Sequence, residues 1–266
     1  AYQLDIGKGL TPFLHRRGKS HPEDITKDDI RAYMDFLTSE KGNAAVTRAR
    51  KLAAIKSFFS YLVDIEQLKI NPASSIKSPK IPWKQPTYLS DEDCRRLIEM
   101  VANTARPKVR ERDMAMIILL IHLGLRVSEL TNLQLAHVDL EGSQIKVTRK
   151  GNKEQYLHMN SETVRALVKY LPHRQNAQNG NCFVGVKGGT LHRAHIYGIV
   201  QRYLKSAGID KGKYGPHLLR HTFCTRLHQK GAGPFTIKEL AGHKSLNTTM
   251  RYVNIDNREQ TDAIDK

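Results

Sequence analysis

The chain has 266 residues, 39% of them hydrophobic and 26% charged, and its 43 Lys and Arg outnumber 26 Asp and Glu to give a formal charge of +17. This composition is globular and excludes a disordered chain, and the length allows a full core and room for two domains. The positive excess is shared, +5 over residues 1–83 and +12 over 84–266, and it points to a polyanion as partner, with a basic surface made for solubility as the plain alternative and an anionic membrane as a weaker one.

The stretch DITKDDIRAYMDFLTSEKG, 24–42, opens with Thr26 as a cap and an acidic first turn. Apolar residues follow at helical spacing, and the pattern stops near Gly42, which predicts a helix. NAAVTRARKLAAIKSFFSYLVDIEQL predicts a second, longer helix with Val46, Leu52, Ile55, Phe58, Phe59 and Leu62 as its apolar face. Arg48, Arg50, Lys51 and Lys56 are its basic positions. Four prolines then fall within 71–90, and about 72–90 reads as an extended linker. A boundary near 84 leaves a small all-helical first domain, 1–83, and a second domain, 84–266.

The second domain begins with a capped helix from Ser90. RERDMAMIILLIHLGLRVSELTNL continues in helices with a break at Gly124. Its apolar run, 114–125, is too short to span a membrane and reads as a buried helix. The period then changes, and 143–160 holds two alternating stretches around KGNK, a β-hairpin pattern. Further helices are expected over 161–174 and 192–209, from Pro216 to Gly231, and as two short ones about the turn at Gly242-His243. The expected fold is therefore mainly α with a small β-hairpin in the second domain.

Cys94, Cys182 and Cys224 are scattered and odd in number, which argues against a disulfide framework and for a reducing compartment. With neither a CxxC nor an HExxH spacing, no metal centre is expected. No signal peptide is expected at the start.

Several side chains could carry chemistry. On a helix through HLLRHTFCTRL, His217 and Arg220 share a face, as do His217 and His221. A core histidine with a surface arginine would fit this segment equally well. Arg126 follows an apolar helix, and Glu129 three residues on can orient it, either as a simple ion pair or with the guanidinium fork turned to a phosphate. Lys150 and Lys153 flank a tight turn, where they are either solvated or delivered to a bound substrate. His243 and Tyr252 lie in LAGHKSLNTTMRYVN. A phenolate stabilised by neighbouring cations is a competent nucleophile at phosphorus, and a packed tyrosine is the plain alternative.

Taken together, GLRVSELTNL, KGNK, HLLRHTFCTRL and LAGHKSLNTTMRYV resemble the tyrosine recombinases, the phage-integrase family, in its two-domain, Xer-like form. The resemblance covers residues 1–256. It implies an N-terminal helical, SAM-like core-binding domain and a mixed α/β catalytic domain. It implies Arg126 and Arg220 as the catalytic arginines, Lys150 as the general acid, His217 and His243 as the two histidines, Tyr252 as the nucleophile and Glu129 as the support of the first arginine. Arg149, directly before Lys150, leaves the register of the hairpin lysine open.

The implied reaction is a DNA strand transfer through a 3′-phosphotyrosine and a Holliday junction, with no cofactor and no metal. The implied partners are double-stranded DNA with paired inverted sites, a homotetramer on two sites and accessory DNA-bending or directionality proteins, with no membrane. The two domains would form a clamp on duplex DNA, with Arg48, Arg50, Lys51, Lys56 and Lys153 as DNA-contacting candidates. The implied setting is the cytoplasm, associated with DNA, with a bacterial, archaeal, phage or mobile-element origin. A type IB topoisomerase, which relaxes one duplex, and a non-catalytic DNA-binding protein are the alternatives.

Overall fold

The computed structural model describes residues 2–82, 86–149, 151–174, 177–212 and 214–253. The chain divides into two units, Ala1–Lys84 and Gln85–Lys266, each with its own core.

In the first unit the capping signals act as expected. Thr26 Oγ1 accepts from the Asp29 amide, and Asp29 accepts from the Thr26 amide in return, starting the helix Lys27–Ser39 (α3). Before it lies a helical run that the sequence pattern did not reveal: Tyr2–Asp5 (α1), a π-helical stretch Ile6–Leu10, and Thr11–Arg16 (α2). Gly7, Gly9 and Pro12 obscure the helical period there. Gly9 is needed for packing, because a Cβ on it would lie 2.7 Å from the Tyr33 hydroxyl.

The long helix Ala45–Asp64 (α4) buries Leu52, Ile55, Phe59 and Leu62 against Leu10, Phe13, Ile30 and Leu37. Val46, expected on this face, is 59% exposed. At about 100° per residue it sits on the far side of the helix from that row.

The second unit is organised around Pro107–Leu123 (α6), whose residues Ala115–Ile121 are buried on every side. A helix apolar all round belongs in the centre of a domain. Asp91–Thr104 (α5), Ser161–Tyr170 (α8) and Pro216–Gln229 (α10) pack around it. Between α6 and α8 come Val127–Asn132 (α7) and a three-stranded antiparallel sheet, Val138–Asp139 (β1), Gln144–Thr148 (β2) and Glu154–His158 (β3). The β2–β3 pairing runs from Gln144 opposite His158 to Thr148 opposite Glu154. The Arg149 amide donates to the Lys153 carbonyl at 2.7 Å and closes the turn, within which Gly151 and Asn152 have positive φ. Lys150 lies outside the described residues. Arg193–Ser206 (α9), Pro234–Ala241 (α11) and Leu246–Val253 (α12) complete the unit.

All three cysteines are buried free thiols. Among the described residues, no helix is long and apolar enough to cross a membrane.

Helix α6 ends at Gly124, with φ 57°. A Cβ there would lie 2.2 Å from the Phe223 ring, so glycine serves both the left-handed turn and the approach of α10. Gly124→Ala is expected to destabilise the second unit by about 2–4 kcal/mol, the sum of a left-handed backbone penalty and overpacking. A thermal midpoint unchanged by this substitution would contradict the packing described.

Candidate active site

The C-terminal end of α11 gathers the site. Gly242 adopts φ 63°, and its amide donates to the Glu239 carbonyl while the His243 amide donates to Lys238. This is a Schellman turn, which satisfies two of the orphan carbonyls at a helix end. The next three are taken by arginines from distant parts of the chain. Arg149 Nη2 donates to Leu240 O at 2.8 Å, Arg220 Nη2 to Ala241 O, and Arg126 Nη2 to Gly242 O at 2.5 Å. The negative end of a helix dipole is a favourable place for this much positive charge.

Glu129 balances it. Its carboxylate accepts from Arg126 Nη1 at 2.7 Å and from Arg149 Nη1 at 2.6 Å, and also from the Arg126 amide at 2.8 Å. Burial pushes the Glu129 carboxyl up, but the charge of Arg149 and the bonds from Arg126 outweigh it and hold it below its ordinary value. Arg220 is 6% exposed and also donates to Gly124 O at 2.5 Å. Burial first, and then the charge of Arg126, bring its pKa down to about 10, so it stays cationic at neutral pH.

On α10, His217 precedes Arg220 by one turn and is exposed. Partial desolvation and the guanidiniums of Arg220 and Arg126 hold its pKa below the usual histidine value. His243, 9% exposed, is brought down to about 4 by burial and by the surrounding cations, so it is neutral at pH 7. Its Nδ1 pairs with Thr249 Oγ1 at 2.8 Å. The Tyr252 ring stacks on the His243 ring with centroids 6.0 Å apart and planes 9° from parallel. The Tyr252 hydroxyl lies 2.5 Å from His221 Nδ1.

Beside these groups Arg126 faces an open cavity of about 600 Å³ whose other cationic walls include Lys146, Arg149, Arg193 and Lys244. Among the described residues its one carboxylate, Glu129, already pairs with two guanidiniums. The cavity is therefore shaped for an anion.

Arg126, Glu129, Arg220, His243 and Tyr252 thus meet in one region, with His217 electrostatically coupled to both arginines. Lys153 is exposed at the hairpin turn. In the first unit, the four DNA-contacting candidates are bonded within the fold. Arg50 and Lys51 converge on Asp5, Arg48 donates to Thr38, and Lys56 donates to the Ser74 carbonyl at 3.0 Å.

Sequence reasoning did not single out Arg149 and His221 as parts of the site, nor Lys146, Arg193 and Lys244 as walls of the cavity. Lys146 was open to recognition, because it falls on the outward side of an alternating strand. The contacts that bring Arg149 to Glu129 and Leu240, and His221 to Tyr252, span 20 to 91 residues, beyond the reach of any local pattern.

A phenol and clustered guanidiniums beside a basic cavity suit phosphoryl transfer, with the cations balancing charge on the phosphate oxygens. Comparison with known proteins agrees. Residues 87–259 match the Phage integrase family, and residues 8–68 match the Phage integrase N-terminal SAM-like domain. The chain belongs to the phage integrase family and is a tyrosine recombinase.

Tyrosine recombinase XerC of Thermodesulfovibrio yellowstonii is 36% identical, over 93% of this chain and 84% of that protein. Tyrosine recombinase XerC of Caldanaerobacter subterraneus is 31% identical, over 92% of this chain and 69% of that protein. The XerH site-specific recombinase, solved in a post-cleavage complex with a palindromic difH substrate, superposes with a TM-score of 0.79 at 26% identity, covering 91% of this chain and 72% of that one.

Glu129→Gln leaves the buried Arg149 and the half-buried Arg126 guanidiniums without their counter-charge and is expected to cost about 3–5 kcal/mol at pH 7. Because the Glu129 carboxyl is held below its unfolded value of 4.5, its contribution is full above that pH and fades as pH falls below it. Urea melts of the two proteins should therefore converge under acid; a gap that widens there would contradict the arrangement.

Proposed function

We propose that this chain recombines DNA at paired inverted sites by cutting and rejoining strands through a covalent link to Tyr252. The observation that carries the proposal is the convergence of Arg126 and Arg220 on adjacent carbonyls at the end of α11, with Tyr252 stacked on the histidine that follows them.

In this reading the non-bridging oxygens of the scissile phosphate meet the two guanidiniums. These stabilise the charge that grows on the oxygens in the transition state. Tyr252 attacks phosphorus and becomes joined to the 3′ end. Lys150, on its place in KGNK, protonates the departing 5′ oxygen. His217 and His243 serve as the accompanying histidines, and Glu129 and Arg149 hold Arg126 and its support in place. The phosphotyrosine conserves the bond energy, and the 5′ hydroxyl of a partner strand reverses the step through a Holliday junction. None of these steps needs a cofactor.

Residues 1–83 act as the core-site DNA-binding domain and 84–266 as the catalytic domain, a division supported by the separate matches at 8–68 and 87–259. A palindromic site presents two inverted half-sites, as in the XerH complex, and two duplexes then call for four protomers. The setting is the cytoplasm, on DNA, with accessory DNA-bending or directionality proteins. The cationic cavity walls make phosphate contacts, so binding weakens as salt rises.

A nicked half-site duplex traps the cleaved state. Wild-type protein is expected to form a covalent adduct, Tyr252→Phe none, and Arg220→Lys an adduct slowed by roughly 10²–10³-fold. A Tyr252→Phe protein that still becomes linked to DNA would sink the assignment. Strand exchange between two sites, without relaxation of a single supercoiled plasmid, separates this reading from that of a topoisomerase.

A further inference from the structure

Tyr252 is 3% exposed, and its hydroxyl sits between α10 side chains, against His221 Nδ1 at 2.5 Å and beside the Cys224 thiol. Burial first, and then the thiol, push the phenol above its ordinary pKa, only partly offset by Arg220. The oxygen therefore holds its proton, and it lies within hydrogen-bond distance of His221 Nδ1. That nitrogen is an acceptor in the tautomer protonated at Nε2. A neutral phenol is a weak nucleophile, and a base that activates it must lie within hydrogen-bond reach.

Three histidines belong to the site, and their geometry relative to this oxygen separates them. His243 offers its ring face to Tyr252, and its Nδ1 is engaged with Thr249. His217 lies one turn earlier on α10 with its ring toward Tyr197, centroids 6.2 Å apart. Among the described residues, no hydrogen bond joins His217 or His243 to the Tyr252 hydroxyl, whereas His221 makes one.

We propose that His221 is the proton acceptor for Tyr252 in strand cleavage, a catalytic role that rests on the reading of Tyr252 as nucleophile. The Tyr252 proton passes to His221 Nδ1 as the phenol oxygen bonds to phosphorus. The bond from phosphorus to the 5′ oxygen breaks, and that oxygen takes a proton from the ammonium assigned to Lys150. In ligation the imidazolium returns its proton to the phenol oxygen as that oxygen leaves phosphorus. His217, by contrast, acts on the phosphate side, next to Arg220.

The test is single-turnover cleavage of the nicked half-site, comparing ordinary tyrosine at position 252 with 3,5-difluorotyrosine, whose phenol is far more acidic. His221→Asn keeps a hydrogen-bond acceptor near the phenol but does not take up its proton. It is expected to slow cleavage by roughly 100-fold with tyrosine and by less than about tenfold with the fluorinated phenol. His217→Asn is expected to slow both equally. Imidazole in the buffer is expected to restore cleavage to His221→Ala, which keeps the question open to test if His221→Asn folds poorly.

Equal slowing of the two phenols by His221→Asn, or no slowing at all, would overturn the assignment, as would an imidazole-insensitive His221→Ala that melts and binds DNA like wild type. Cleavage by Tyr252→Phe would instead overturn the underlying reading of the nucleophile.

Discussion

Three arginines on three consecutive carbonyls hold the second unit's site together. Buried guanidinium is costly unless every donor finds an acceptor and the charge is matched. The Schellman turn after α11 meets this need by satisfying the carbonyls of Lys238 and Glu239 and leaving those of Leu240, Ala241 and Gly242 to Arg149, Arg220 and Arg126. These arginines come from the end of β2, the middle of α10 and the start of α7. One helix end thus fixes the relative placement of three otherwise separate elements. Glu129 pairs with two of the three and prevents the cluster from repelling itself apart.

The same economy of charge governs the first unit on a smaller scale. Asp5, 7% exposed, accepts from both Arg50 and Lys51 and so ties α1 to α4. The basic residues of α4 therefore orient the helix as well as supplying positive potential. A phosphate arriving at Arg50 or Lys51 would compete with a carboxylate already in contact, which moderates the affinity that their charge alone suggests.

Legibility in the sequence followed the range of the interactions. Thr26 with Asp29, Ser90 with Asp93, Pro216 at a helix start and Gly124 at a helix end are local signals, and each marks a boundary in the structure. The β2–β3 hairpin was visible because alternation and turn residues lie within one short window. β1, two residues long, carries no alternation to read. The π-helical stretch at Ile6–Leu10 departs from the period on which helix detection rests. At the site, Arg126, Glu129, Arg220, His243 and Tyr252 were readable as a set, since their spacings resemble a known family. The hydrogen bond between Tyr252 and His221, by contrast, spans 31 residues and depends on how α12 docks against α10.

The seat of Phe223 on Gly124 couples two positions that sequence keeps almost a hundred residues apart. Gly124 also gives its carbonyl to Arg220, one turn before Phe223 on α10. The room available at these two positions is therefore a single shared volume. A larger residue at 124 would need a smaller one at 223 and would still sit in a left-handed turn, so among descendants of this chain the glycine and its aromatic lodger should be inherited together.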